Sequence, residues 1–328
     1  MPGTGSPSLA SSYLRALMPK HGGASTWPAL ETARDGVVVD LEHLRRYRRL
    51  CGFPEENALP LTYPHLTAFP MSMALMTGRG FPFRILGLVH IRNEISQLRP
   101  IHQAEPLDYR VWIDEPFEHA KGTAFDVGAE VCDAAGEPVW SARSTYLRRK
   151  ADRSPRPGTE TGGVATEIAA GVATDVVTDV VTDAGAPTRW RLPADLGRRY
   201  ASVSGDRNPI HLYPWTARLF GFKRQLVHGM WSAARCLAAL DAGDPPSDGT
   251  SPGVMSPGVM SPGTTSPGTP SAAAPQTAAT FAVDFRAPVL LPSTVVLSRV
   301  PDVGGVTEFT LAAADSGRVH LAGGLTLL

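Results

Sequence analysis

Cysteine is scarce in this chain of 328 residues: three occur, Cys51, Cys132 and Cys236, and no two form a CxxC pair. That argues against a disulfide scaffold or a thiolate zinc site and fits a reducing cytoplasm. There is no excess of charge, with 31 Lys+Arg against 31 Asp+Glu, so no broad basic field exists to hold nucleic acid or an anionic membrane. No apolar run reaches the roughly 18 residues of a membrane-spanning helix. The first residues, MPGTGSPSLASSYLRALMPK, lack a continuous apolar core, so a secretion signal is not expected. P-loop, GxGxxG and HExxH patterns are all missing, and the chain therefore signals neither nucleotide, flavin nor metal. What is present is a hydrophobic content of 43%, enough to bury a sizeable core.

Glycine and proline are concentrated rather than spread. Residues 151–187 carry a VVTD repeat that places Asp175, Asp179 and Asp183 at i, i+4 spacing. Like charges at that spacing destabilise a helix, so a solvated linker is expected in preference to a metal-binding face. Residues 243–276 repeat SPGVM, SPGVM, SPGTT and SPGTP, a density of Pro and Gly that opposes helix and strand alike. Apart from a flexible segment 1–29, two comparable blocks remain, 30–150 and 188–328, the second interrupted by 243–276.

The blocks read in the same order: an amphipathic helix, a loop, an apolar helix, then long strand-like runs ending in a hairpin. Arg45-Arg46-Tyr47 matches Arg198-Arg199-Tyr200, Gly52 matches Gly205, and His65 precedes its apolar helix as His228 does. A helix wrapped by a curved antiparallel sheet, occurring twice with the two sheets joined, is the expected architecture, an α+β fold built by duplication.

The chemistry concentrates in YASVSGDRNPIHLYPWTARLFGFKRQLVHGM, residues 200–230. Gly205 and Pro209 force a tight loop that holds Asp206 and His211 near each other, where both can contact one water. His228-Gly229-Met230 opens the second apolar helix, whose N-terminus offers unpaired N–H groups, and Gly229 allows a carbonyl oxygen to approach closely. Base, acid and oxyanion donor are the parts needed for proton chemistry beside a carbonyl. Taken singly, these residues also suit a surface turn, a helix cap and a core histidine; the whole run favours a site.

Tyr-x-x-x-Ser-Gly-Asp-x-Asn-Pro-Ile-His, followed by Gly-Phe and then His-Gly-Met, resembles the hydratase-2 motif of MaoC-like dehydratases, hot-dog enzymes that act on acyl thioesters. The resemblance covers about 188–240 and extends through Phe285-Arg286-Ala287-Pro288-Val289. Block one resembles the degenerate N-terminal hot dog of two-domain members. The resemblance implies a double hot-dog fold and hydration of trans-2-enoyl thioesters to (R)-3-hydroxyacyl thioesters, or the reverse dehydration, in fatty-acid or polyketide metabolism. It implies Asp206 as base, His211 as water-orienting partner and Gly229 as oxyanion donor. Asn208, Ser204, Tyr200, His228 and Met230 are expected around the substrate, and Arg286 on a carrier phosphate. The carrier would be coenzyme A or acyl carrier protein, with no metal and no dissociable cofactor, in a monomer or homodimer. The competing readings are a hot-dog thioesterase and a non-catalytic acyl-binding subunit.

Counting from the shared Arg-Arg-Tyr, Phe53 and Ala58 stand in block one where block two has Asp206 and His211, and counting from His65 and His228, Leu66 stands where block two has Gly229. Block one is thus expected to have no acid and no base, and to supply an apolar wall. Its Phe and Met residues, Met71, Met73 and Met76 among them, are candidates to line an acyl tunnel. Arg45, Arg46, Arg48 and Arg49 are expected on a solvated helix face.

Overall fold

The computed structural model describes residues 27–85, 87–150, 187–241, 278–300 and 304–328. The expected flexible segment up to residue 26, the linker apart from Pro187, and the SPG-repeat insert lie outside the described residues. In chain order the elements are β1 (Leu30–Val37), α1 (Leu41–Cys51), α2 (His65–Thr77), β2 (Leu88–Gln97), β3 (Leu107–Ile113), β4 (Phe117–His119), β5 (Gly122–Cys132) and β6 (Pro138–Arg149). The second half follows with β7 (Thr188–Leu192), α3 (Leu196–Ser204), α4 (Pro209–Leu212), α5 (Pro214–Leu219), α6 (Gly229–Asp241), β8 (Ala279–Phe285), β9 (Ser293–Val300), β10 (Val306–Ala313) and β11 (Val319–Leu327).

All pairings are antiparallel, and the main path runs β1-β3-β5-β6-β2-β8-β11-β10-β9-β7. The two halves meet where β2 pairs β8, with Ile95 opposite Phe281 and Arg92 opposite Asp284. Buried Ile95 and Phe281 continue the core across this seam, and on the outer face Arg92 bonds Asp284 at 3.0 Å. The joined sheet expected from the duplicated pattern is therefore present. The outermost strands, β1 and β7, precede the first helix of each half; neither stands out in the sequence, because five to eight residues with at most one buried side chain carry little apolar periodicity.

The duplicated Arg-Arg-Tyr segments lie in α1 and α3, and each helix stops at a glycine in the left-handed region, Gly52 at φ 86° and Gly205 at φ 73°. Glycine takes this conformation without a Cβ clash, which is why it ends both helices. Tyr47 and Tyr200 are both buried. The helices from the two halves are tied by His43, whose Nε2–H donates to the Val203 carbonyl at 2.7 Å. From α6, Trp231 Nε1–H donates to the Leu50 carbonyl at 3.1 Å.

Several expectations for block one change. Arg48 is not on a solvated face; it is 2% exposed and its guanidinium donates to the Ala58 carbonyl at 2.7 Å. It stands where α3 has Ala201, so the first half fills with a buried arginine the space beside its loop. Phe53 stacks on Tyr47 at 5.9 Å, and Ala58 bridges His102. His65 is the first residue of α2 rather than a residue before it.

Candidate active site

A cavity of about 280 Å³ lies between the halves. Asp206, Asn208 and His211 reach it from the loop and short helix after α3, and His228, Gly229 and Met230 from the start of α6. Gly205 turns the chain out of α3, and the following loop is locked by hydrogen bonds. Ser204 Oγ donates to the Tyr200 carbonyl at 3.0 Å and accepts from the Asp206 N–H at 3.2 Å. The Asn208 N–H donates to Asp206 Oδ1 at 3.0 Å. Asn208 Oδ1 accepts from the Ile210 N–H at 3.3 Å, capping α4, with Pro209 at its first position. Asn208 thus fixes Asp206 through its backbone.

His211 hydrogen-bonds the Leu226 carbonyl through Nδ1 at 3.0 Å. A carbonyl can only accept, so the proton sits on Nδ1 and Nε2 keeps its lone pair. By the same reasoning His228 donates from Nε2 to the Asp206 carbonyl at 3.0 Å, and its Nδ1 is buried without a partner. One carboxylate oxygen of Asp206 and one nitrogen from each imidazole lie within 4.8 Å of one another, a spacing compact enough, by distance, to hold a metal ion. Burial pushes both imidazoles below their ordinary range, His228 to about 3, so both are neutral at physiological pH.

The first intrahelical bond of α6 runs from the Ser232 N–H to the His228 carbonyl at 3.2 Å. The N–H groups of Gly229, Met230 and Trp231 therefore lack partners within the helix, and the positive end of its dipole faces the cavity. Glycine at 229 has a second cause: a Cβ there would lie 2.9 Å from the ring of Phe285.

Tyr200 and Ser204 line the cavity with the expected loop residues, and Tyr200 packs on His228 at 5.0 Å between ring centroids. Arg286 does not line it; the chain at this point presents Phe285 and Ala287 instead. Nor do Phe53 or Ala58. Leu66, Met73 and Met76 do line it, whereas Met71 packs half-buried against the core.

The first half supplies more to the cavity than the expected apolar wall. His65, His90 and Tyr146, all from the first half, line the cavity. Burial holds His65 at about 4 and His90 at about 3, and both sense the Asp206 charge. His90 reaches the cavity because β2 bulges between His90 and Arg92. Asn93, Ile95 and Gln97 point inward beyond the bulge, and the extra residue transfers the inward direction to His90, opposite Tyr146. Strand alternation alone would place Ile91 there. His65 carried a legible signal, its match to His228; the bulge carried none. Ser232 and His320 from the second half also belong to the lining.

Two hot-dog units sharing one sheet, with a carboxylate and neutral imidazoles gathered at a helix N-terminus over a largely apolar cavity, define a double hot-dog protein equipped for acid–base chemistry. Comparison with known proteins narrows the class. The model of the MaoC like domain matches residues 173–244. The protein named 3-hydroxyacyl-thioester dehydratase X, from Mycobacterium tuberculosis, is 30% identical over 288 residues, covering 87% of this chain and 85% of that protein. The crystal structure of HtdX from the same organism superposes with a TM-score of 0.66 at 27% identity, covering 91% of this chain and all of the other. A MaoC-like dehydratase from Phytophthora capsici, 17% identical, has the same fold with a TM-score of 0.64 over 92% of this chain and 96% of that one. The chain belongs to the MaoC-like dehydratase family.

Proposed function

We propose that the protein is a hydro-lyase that hydrates trans-2-enoyl thioesters to (R)-3-hydroxyacyl thioesters, or runs the reverse dehydration. The observation that carries this reading is the meeting, in one cavity, of Asp206, the lone-pair Nε2 of His211 and the N-terminus of α6. In hydration, the Gly229 N–H would polarise the thioester carbonyl, making C3 electrophilic and taking up the enolate charge as it forms. Asp206 and His211 would hold one water; its oxygen bonds to C3 as Asp206 accepts a proton, and a proton is delivered to C2 on the same face. His211 orients the water and relays the proton. Every group this requires is a side chain or backbone N–H of the chain itself, which supports a reaction needing neither metal nor dissociable cofactor. Unchanged turnover after chelation and dialysis is the expected outcome.

Phosphopantetheine, common to coenzyme A and acyl carrier protein, is the carrier group proposed. No described helix is long and apolar enough to cross a membrane. A cytoplasmic location is proposed from the thiols, since all three cysteines are unpaired. A single chain already joins two hot-dog units, so a monomer contains every residue invoked here, and a homodimer of such chains is the alternative state. The test is the loss of enoyl-thioester absorbance on adding protein, across a series of chain lengths, with chiral analysis of the product. Release of free thiol without hydration would overturn the reading in favour of a thioesterase. Binding without either change would make the protein an acyl-binding subunit.

A further inference from the structure

His65 stands apart among the polar groups of the cavity. It belongs to the half that lacks the catalytic loop, it begins α2, and the rest of that helix's cavity face is apolar: Leu66, Phe69, Met73 and Met76. An imidazole placed in such a wall loses solvation, and a leucine or phenylalanine would pack there at no such cost. The ring makes no hydrogen bond among the described residues, and its nitrogens are not among the sealed, unpartnered polar atoms of the interior. Both nitrogens therefore keep some accessible surface, and the residue lines the cavity. Its ring neighbour on the same helix is Phe69, at 6.1 Å, which offers no hydrogen bond through a conventional polar atom. Asp206 lines the same cavity, close enough to act electrostatically on His65.

We infer that His65 is a substrate-positioning residue, which hydrogen-bonds an O–H or N–H donor of the bound thioester from the first half's wall of the cavity. The inference rests on the reading of this cavity as an acyl-thioester site. A neutral imidazole has one acceptor and one donor nitrogen. At the reactive end of the cavity two groups of the thioester can meet the acceptor: the hydroxyl on C3 and an amide N–H of the pantetheine arm. Both are the same chemistry, a single donor directed at a buried acceptor. A site built around such a contact discriminates against a ligand that lacks the donor, because the acceptor is then left desolvated and unpaired. The first half therefore does more than wall an acyl chain: it carries one polar recognition group at the reactive end of an otherwise apolar helix face.

The test is equilibrium titration of Asp206→Asn protein, in which turnover is blocked, with two acyl-pantetheine thioesters of equal length, one saturated and one carrying the (R)-3-hydroxyl. Adding His65→Leu is expected to weaken the hydroxyacyl thioester about tenfold. Unchanged affinity for the saturated thioester then identifies the hydroxyl as the donor, and an equal loss for both identifies the amide. His65→Gln, which keeps an acceptor and a donor, is expected to restore affinity to within about threefold. Equal affinities with and without His65→Leu would overturn the inference. So would failure of His65→Gln to restore binding, which would make His65 a packing residue. If Asp206→Asn protein with His65 intact binds neither thioester, the acyl-thioester reading itself fails, and this inference with it.

Discussion

The ring of His211 lies against that of His228, with centroids 3.8 Å apart and planes inclined by 26°. Each spends its N–H on a backbone carbonyl, Leu226 for one and Asp206 for the other. Two protonated rings at that separation would repel, and burial together with the His211 neighbour holds His228 down to about 3. The pair is therefore a stack of neutral rings in which His228 fixes the backbone at Asp206 and His211 presents Nε2. Asp206→Asn and His211→Ala are each expected to cut turnover by about two or more orders of magnitude, the range for acid–base groups. Enoyl-thioester absorbance measures this, and thermal unfolding checks that the fold survives. Near-full activity in either variant would remove that residue from the mechanism.

The buried imidazoles are also expected to lower stability in acid. Burial lowers His65 to about 4 and His228 to about 3, from an ordinary 6.5. Between the folded and unfolded values the unfolded chain binds more protons than the folded one, so stability falls as pH drops through that window. Each group contributes a slope of about 1.4 kcal/mol per pH unit there. Urea midpoints are expected to fall steadily from pH 6.5 to pH 4.5, with no contribution from these groups to any change above pH 7.5. A midpoint that stays level down to pH 4.5 would show that the imidazoles are not buried as described.

What was legible in the sequence followed from local chemistry. Gly205, Pro209 and the helix after His228 determine a loop and a helix N-terminus by their own conformational limits, so Asp206, His211 and Gly229 could be brought together before any fold was known. The duplicated Arg-Arg-Tyr and glycine gave two halves. The contribution of the first half was hidden, because it depends on where chain segments far apart in sequence meet. His90 enters through a β-bulge that reverses the strand's alternation, while Phe53 packs on Tyr47 and the Ala58 carbonyl is held by buried Arg48, both away from the cavity. Arg286 was a candidate phosphate contact from its place in the family-like strand; its neighbours Phe285 and Ala287 line the cavity and it does not.

Gly229 has a packing reason to be glycine, and the proposed oxyanion role would give a second that can be separated from it. An added Cβ meets the Phe285 ring at 2.9 Å, and it would also crowd a carbonyl oxygen approaching the helix N–H groups. Gly229→Ala is expected to lower both thermal stability and turnover. Adding Phe285→Leu relieves the ring clash and is expected to recover stability while turnover stays low. Recovery of both would mean that the glycine serves packing alone and that the oxyanion contact lies elsewhere.

The cavity face of α2 runs from His65, which senses the Asp206 charge, to Met76, eleven residues on, which at the helical rise is roughly 16 Å away. The polar end and the apolar end are thus on one helix, and an acyl thioester bound as proposed would lay its chain along α2. Met76 is buried, and a larger side chain there fills the apolar end without reaching the reactive one. Met76→Trp is expected to reduce kcat/KM for long-chain thioesters at least tenfold relative to short ones while leaving short-chain turnover within a few-fold. Overpacking would cost about 1–3 kcal/mol of stability, and Met73→Phe, a smaller change on the same face, gives the same direction of effect with less strain. Ala58→Trp serves as the control: Ala58 stands at the degenerate loop, away from the cavity, and its substitution is expected to leave chain-length preference unchanged. An equal loss across all chain lengths in Met76→Trp, or a shift of preference in Ala58→Trp, would place the acyl chain somewhere other than along α2.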